Sequence, residues 1–405
     1  MKKRLIVGVC LLPTVLLGGG FQVKTEGVKA MGFGGMYTAL APDASTVFFN
    51  PGGLTKLYNS ITAGVSIVLP FTSYLDPYDG NSDREVSPSI PFHFYGSYKI
   101  NQHLSAGLAL NTPSCINTKW KNDWTGRYII QSERRQTLAI QPTVAYAFNQ
   151  HLSVGGGIVA AWMKTKEKKA IDVSSASTNF GEAESTNNGT SVGFNLGLLI
   201  NYAHFSFGVN YRSQTSFKLK KGKVKFTDIP AGAILLEGFP EETDFSTTLI
   251  LPSVWNAGLS YDVTGKLLLT TNFSFEKWSS IADSKFEYAQ YPSLNYTEVN
   301  NFNDALSLGL GGQYHYNERT WLRIGLVYSN SSVEDGYVSP AIPDAKSWHY
   351  SGGISYLWKK SITLDAAIML QDYKSRIERN NKPYNFNGEY KSTLYIIGIG
   401  ANYVF

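Results

Sequence analysis

Residues 137–148 read TLAIQPTVAYAF, and their alternate positions separate into two unlike sets. Leu138, Ile140, Pro142, Val144, Tyr146 and Phe148 make one set; Thr137, Ala139, Gln141, Thr143, Ala145 and Ala147 make the other. Successive side chains of a β-strand point to opposite faces, so a strand here has one large apolar face and one small or polar face. The same split recurs in ALSLGLGGQYHY (305–316) and in SWHYSGGISYLW (347–358), where Trp348, Tyr350, Ile354, Tyr356 and Trp358 oppose Ser347, His349, Ser351, Gly353 and Ser355.

Aromatics stand at the ends of these strands and aliphatics in the middle, the order of a lipid-facing band bounded by interfacial girdles. A soluble β-sandwich also alternates, but nothing in it requires aromatics ringed at both ends. The pattern predicts strands near 60–71, 91–100, 103–112, 135–148, 151–164, 190–202, 204–218, 249–262, 266–282, 304–316, 319–331, 347–358, 361–376 and 389–405. These are fourteen, an even number, and their connections alternate between tight turns (INQH, FNQH, YAH, HYNER, WKKS) and long polar loops (72–90, 165–189, 219–248). Short turns at one rim and long loops at the other predict an all-β, 14-stranded antiparallel transmembrane barrel in a bacterial outer membrane, with the short side periplasmic.

Composition agrees. Charged residues are 17% of the 405, below the roughly 25% of soluble proteins, while aromatics reach 14%. After residue 20 no stretch approaches the ~18 apolar residues of a spanning helix, so a membrane location requires strands. Residues 1–19 read as a signal peptide, with Lys2, Lys3 and Arg4 before the apolar LIVGVCLLPTVLL. Without those three cations the chain carries 33 basic and 31 acidic residues, a balance that gives no sign of a nucleic-acid partner. Cys10 lies in the signal segment and Cys115 stands alone, so no intramolecular disulfide is expected.

The six histidines lack ligand spacing, so no metal site is expected, and no cofactor. GFGG at 32–35 lacks both the preceding strand and the lysine of a phosphate loop. His93 and His349 face the lumen by alternation, but no serine is singled out beside them, so an enzyme is not expected.

Residues 20–58 precede the first strand and contain DASTVFFNPGGL at 43–54. Fourteen tilted strands enclose a lumen too wide for side chains alone, since about eight already reach that limit. This segment is expected to fold back inside as a plug, leaving 59–405 as the barrel.

GFQV (20–23), GMYTALAPDASTVFFNPGGL (35–54), WTGRYIIQSERRQTLAIQPTVAYAFNQHLSVGGGI (124–158), LPSVWNAGLSYDVTGKLLLTTNFSFEKWSSI (251–281) and SPAIPDAKSWHYSGGISY (339–356) together resemble the FadL/TodX-type family of outer-membrane hydrophobic-compound transporters. The resemblance implies passive uptake of long-chain fatty acids or aromatic hydrocarbons. It implies capture at extracellular loops, a plug (hatch) controlling an inner pocket, and sideways release where the third strand kinks. Asn50, Pro51 and Gly52 occupy the hatch motif, with Gly where the family usually has Ala.

Under that resemblance Ala106 and Gly107 are the candidate kink and are expected to face Asn50–Gly52; ordinary strand glycine is the plain alternative. Ile234, Leu235, Leu236 and Phe239 form an apolar cluster in a polar loop, a candidate ligand-capture patch; packing against the third long loop or a neighbouring protomer is the plain alternative. Arg127, Trp120 and Trp124 are expected to hold loops together. The expected partners are a hydrophobic ligand, membrane lipid and, from the terminal Phe405, the barrel-assembly machinery. A nonspecific aqueous porin and a loop-based adhesin or receptor are the rival readings.

Overall fold

The computed structural model describes residues 25–78, 80–171, 180–229, 240–281, 283–299 and 301–405. Fourteen strands form the wall. They are β1 (Ser60–Asp76), β2 (Phe92–Lys99), β3 (Leu104–Lys119), β4 (Ser132–Ala147), β5 (Leu152–Ile171), β6 (Gly181–Tyr202) and β7 (Phe205–Arg212, continued by Thr215–Thr227). Then come β8 (Glu242–Leu251, continued by Val254–Asp262), β9 (Leu267–Glu276), β10 (Ala305–Asn317), β11 (Thr320–Ser329), β12 (Ser347–Lys359), β13 (Ile362–Tyr373) and β14 (Gly388–Val404). Each pairs antiparallel with its neighbour, and β14 returns to β1 from Ser60↔Val404 to Leu75↔Glu389. Closure leaves no free edge, as a strand structure in lipid requires.

The alternation sorts as the sequence implies. On β4, Leu138, Val144 and Tyr146 are exposed while Ala139, Gln141, Thr143 and Ala145 are buried. Leu310, Ile324, Ile368 and Ile399, each at least 60% exposed, belong to a continuous outer apolar belt. A belt of that size on a chain in water would be an aggregation surface; in a bilayer it is the solvent-facing side.

Two expectations about the wall are corrected. Much of what the sequence presents as long polar loop at 165–189 and 219–248 is strand, because β5 and β6 continue to Ile171 and from Gly181, and β7 and β8 to Thr227 and from Glu242. Beyond the lipid the pairing is marked by charge, not by apolar alternation: Lys166 meets Glu184 at 2.9 Å and Lys168 meets Glu182 at 2.8 Å. β9 ends at Glu276, before the expected 282, and Trp278–Ser280 turn as a 3-10 helix.

The second correction concerns the third strand. Ala106 and Gly107 pair without interruption, to Tyr98 and Ser97 on one side and to Val144 and Thr143 on the other. The register shifts further along, between Asn111 and Ser114, where Pro113 can donate no ladder bond. Beside this shift β2 stops at Phe92, and residues 84–91 cross the gap with Ser66 N–H donating to Pro91 O and Val68 N–H to Ser89 O. The wall is therefore locally irregular at Thr112–Pro113.

Loops close the wide rim. Trp120 and Trp124 stack at 4.2 Å, and their indole N–H groups donate to Pro340 O (3.2 Å) and Ile130 O (2.7 Å). They share a buried cluster with Tyr74, Val333, Val338 and Tyr390. Arg127 donates to Trp124 O at 3.2 Å and lies 4.6 Å from the Tyr128 ring centroid, so it ties its own loop together.

Asp344, in the loop between β11 and β12, is buried and accepts from Ser332 N–H (2.7 Å) and the Ser331 hydroxyl (2.9 Å). Burial outweighs these donors and the nearby Arg376, and pushes its carboxyl up to about 7. A folded value above the unfolded one means the closed loop binds the extra proton, so its stability is full below the unfolded value near 4. It is lost as pH rises toward 7. Protection factors for amide exchange across 331–344, taken against the intrinsic rate at each pH, should be higher at pH 5 than at pH 8, and Asp344→Asn should remove that difference.

Candidate functional site

Residues 25–57 lie against the lumen-facing side of the wall and are mostly buried. A short helix α1 (Val28–Gly32) packs on β12 and β13, and α2 (Thr46–Phe49) leads through Asn50 into a 3-10 turn at Pro51–Lys56. Glycine and proline break the segment into pieces too short to stand alone. The wall must therefore supply their missing hydrogen bonds.

Asn50 is fully buried and makes three bonds. Its side-chain amide donates to Thr38 O (2.7 Å) and to Leu198 O on β6 (3.0 Å), and its Oδ1 accepts from Gly52 N–H (3.1 Å). Three wall glycines let it approach. A Cβ on Gly155 would lie 2.5 Å from Pro51 C, one on Gly197 2.2 Å from Asn50 Oδ1, and one on Gly208 2.1 Å from Thr38 O. Asn50, Pro51 and Gly52 thus sit on β5, β6 and β7, two to four strands along the wall from the expected place. Gly107 meets Val47 and Leu54 instead. Alternation tells which residues point inward but not which strand they meet.

A row of carboxamides holds α2. Gln141 on β4 donates to Val47 O (2.8 Å), Asn195 on β6 to Phe48 O (2.9 Å), and Asn210 on β7 to Asn195 Oδ1 (2.6 Å). Arg212 also donates to Phe48 O (2.9 Å), with its guanidinium carbon 3.5 Å from the centroid of the Phe48 ring. The last carbonyls of a helix have no partner inside it, so these side chains cap α2 from the wall.

A second anchor is ionic. Lys29 Nζ lies 3.2 Å from Asp43 and 3.8 Å from Asp365 on β13, all three buried. Asp365 accepts from Ser355, which in turn accepts from Arg323 on β11 (2.6 Å). The sequence did not mark this ionic anchor, because Lys29 and Asp43 lie outside any recognised spacing.

Above α2 is a chamber lined by Phe48, Ala161, Phe217, Leu251 and Val254, with Glu26, Arg212 and Glu276 as its charges. Pro113, at the irregular point of β3, also lines it. A second chamber under the loops shares Leu251 and is lined by Trp278, Phe302, Val333 and Tyr337, with Glu133, Arg135 and Glu298. Among the described lining residues each chamber holds one arginine and two glutamates, and Arg135 is already paired to Glu133 at 2.7 Å. The lone described cysteine, Cys115, is free and half-buried. Ile234, Leu235, Leu236 and Phe239, and the signal segment, lie outside the described residues.

A closed fourteen-stranded barrel with apolar chambers inside and a lipid-facing belt outside defines an outer-membrane transport protein. Residues 9–405 match the family described as outer membrane protein transport protein (OMPP1/FadL/TodX), and the chain belongs to it. A long-chain fatty acid transport protein of Salmonella typhi is 24% identical over all of this chain and 98% of its own length. A putative outer membrane protein of Neisseria meningitidis serogroup B is 25% identical, covering 90% and 88%. The barrel superposes on a Pseudomonas aeruginosa FadL homologue with a TM-score of 0.86 at 17% identity, covering 96% and 100% of the two chains. It superposes on the Ralstonia pickettii toluene transporter TbuX at 0.72 and 16% identity, covering 94% and 98%. The family is one of transporters, not enzymes.

Proposed function

We propose that this protein carries hydrophobic compounds, long-chain fatty acids or aromatic hydrocarbons, passively across the outer membrane, with the N-terminal segment as a hatch. The ligand enters under the loops, passes Leu251 into the chamber on the hatch, and leaves sideways into the bilayer. The observation that carries this reading is the pair of apolar chambers stacked above a seated segment, the lower one reaching the irregular wall at Pro113. We place the exit there, beyond Ala106 and Gly107. Burying an alkyl chain gains about 0.8 kcal/mol per methylene, so a sideways exit spares a long tail the loss of re-entering water.

Because each chamber's arginine faces two carboxylates, apolar area rather than a carboxylate clamp sets affinity in this reading. Reconstituted liposomes test it. Uptake of toluene or oleate with exclusion of sucrose is expected, and Ala161→Trp, which fills the lower chamber, should lower hydrophobe uptake at least tenfold. Free passage of sucrose through the unaltered protein would overturn the proposal in favour of an aqueous porin.

A further inference from the structure

The ladder between β6 and β7 holds at Glu182–Thr186 and again at Asn195–Tyr202, with Ser213 N–H still donating to Phe194 O (2.9 Å), but no ladder pairing joins residues 187–193 to 214–222. The cause lies inside the barrel. Phe217 and Leu219 are drawn into a buried cluster with Ala139, Ala161 and Met163 on β4 and β5, so this stretch of β7 leans inward. A Cβ on Gly189 would lie 2.9 Å from Lys218 O, which places the β7 backbone on the lumen side of β6. On the outer surface the step leaves a cleft of about 540 Å³, lined by Thr190, Ser191, Gln214, Ser216, Lys218 and Lys220.

The cleft lies just beyond the apolar belt. Thr190 pairs with Trp162, and Trp162, Val192 and Phe194 are exposed on the same outer face. Its charge is one-sided. Lys164 pairs in register with Gln136 and Asn188, and Arg134 follows one outward position beyond Gln136. Arg134, Lys164, Lys218 and Lys220 are all exposed, and none has a carboxylate within ion-pair distance among the described residues. Lys166, Lys168 and Lys223, by contrast, are each matched by a glutamate. With neighbouring strands about 4.8 Å apart, the unmatched cations span roughly 15 Å from β4 to β7.

Cations at this depth face the headgroups of the outer leaflet, where clustered Lys and Arg attract anionic lipid and hydroxyl and ammonium donors suit phosphate oxygens. We propose that the cleft between β6 and β7 binds the phosphate headgroup of a phosphorylated glycolipid of the outer leaflet. The acyl chains lie along Val192, Phe194 and Trp162. This site is on the outside of the barrel and does not depend on what the lumen carries.

The test uses the full-length protein in nanodiscs with an acylated glucosamine disaccharide bearing two phosphates, its dephosphorylated form, and inorganic phosphate. Bound lipid is counted by native mass spectrometry. K164Q/K218Q/K220Q should weaken binding of the phosphorylated lipid at least tenfold, while K266Q/K359Q/K360Q, which removes the same charge at the opposite rim, should leave it unchanged. Removing the phosphates from the lipid should weaken binding to the wild type by a similar factor. Should the first triple variant not assemble, as judged by heat-dependent gel mobility, Ser216→Glu places one repulsive charge in the same cleft and should give the same loss. Undiminished binding by the cleft variant, equal binding of the dephosphorylated lipid, or complete displacement by millimolar inorganic phosphate would each overturn the assignment.

Discussion

Lys29→Met should open the barrel. The change removes the only cation within ion-pair distance of Asp43 and Asp365 among the described residues and leaves two carboxylates facing each other where water is scarce. Breaking a buried pair by deleting one partner costs about 3–5 kcal/mol. Here the cost falls on the seated position of α1, since a segment that swings out rehydrates Asp43. Single-channel recording should therefore show a large rise in open probability relative to wild type. The combination of Lys29→Met with Asp43→Asn and Asp365→Asn removes the unpaired charges and should return most of the closed behaviour, because neutral replacement of a buried ion cluster is often tolerated. A single variant that stays closed would show that the carboxamide row holds the segment alone.

Gly208→Val attacks the other anchor by volume rather than charge. Its Cβ would lie 2.1 Å from Thr38 O and 2.9 Å from Asn50 Nδ2, and the first of these is backbone, which cannot turn aside. Relieving the clash moves Thr38 away and breaks the bond from Asn50 at 2.7 Å. The orphaned buried groups cost about 1–3 kcal/mol each, in addition to overpacking of about 1–3 kcal/mol. Permeation of sucrose into liposomes should rise well above the wild-type level. Gly352→Val is the matched control: it lies on the lipid face, where a Cβ meets nothing nearer than Arg323 O at 3.9 Å, so permeability should not change. Equal leakage from both variants would mean that the wall, not the segment, is being damaged.

The wall was legible because lipid and lumen impose opposite demands on alternate residues. Leu138 and Ala139 need only their neighbours to be sorted. That signal ends where the lipid ends, which is why the outer halves of β5 to β8, sorted by Lys166–Glu184 and Lys168–Glu182 pairs, read as loop. On the third strand the sequence points to Gly107, because glycine tolerates a break. The residues that enforce one are prolines, and Pro88, Pro91 and Pro113 were available to be read. The seat of Asn50 was not legible at all, because no local pattern says which strand a residue meets across a lumen. Lys29, Asp43 and Asp365 failed for the same reason: 322 positions separate Asp43 from Asp365, and nothing near either announces the other.

The two anchors of the N-terminal segment are far apart along the chain. Asn50 needs β5, β6 and β7, while Lys29 needs β13 and, through Ser355 and Arg323, β12 and β11. The N-terminal stretch thus has no complete berth until both β5–β7 and β11–β13 are in place. Full seating of the segment therefore waits for strands drawn from both halves of the wall.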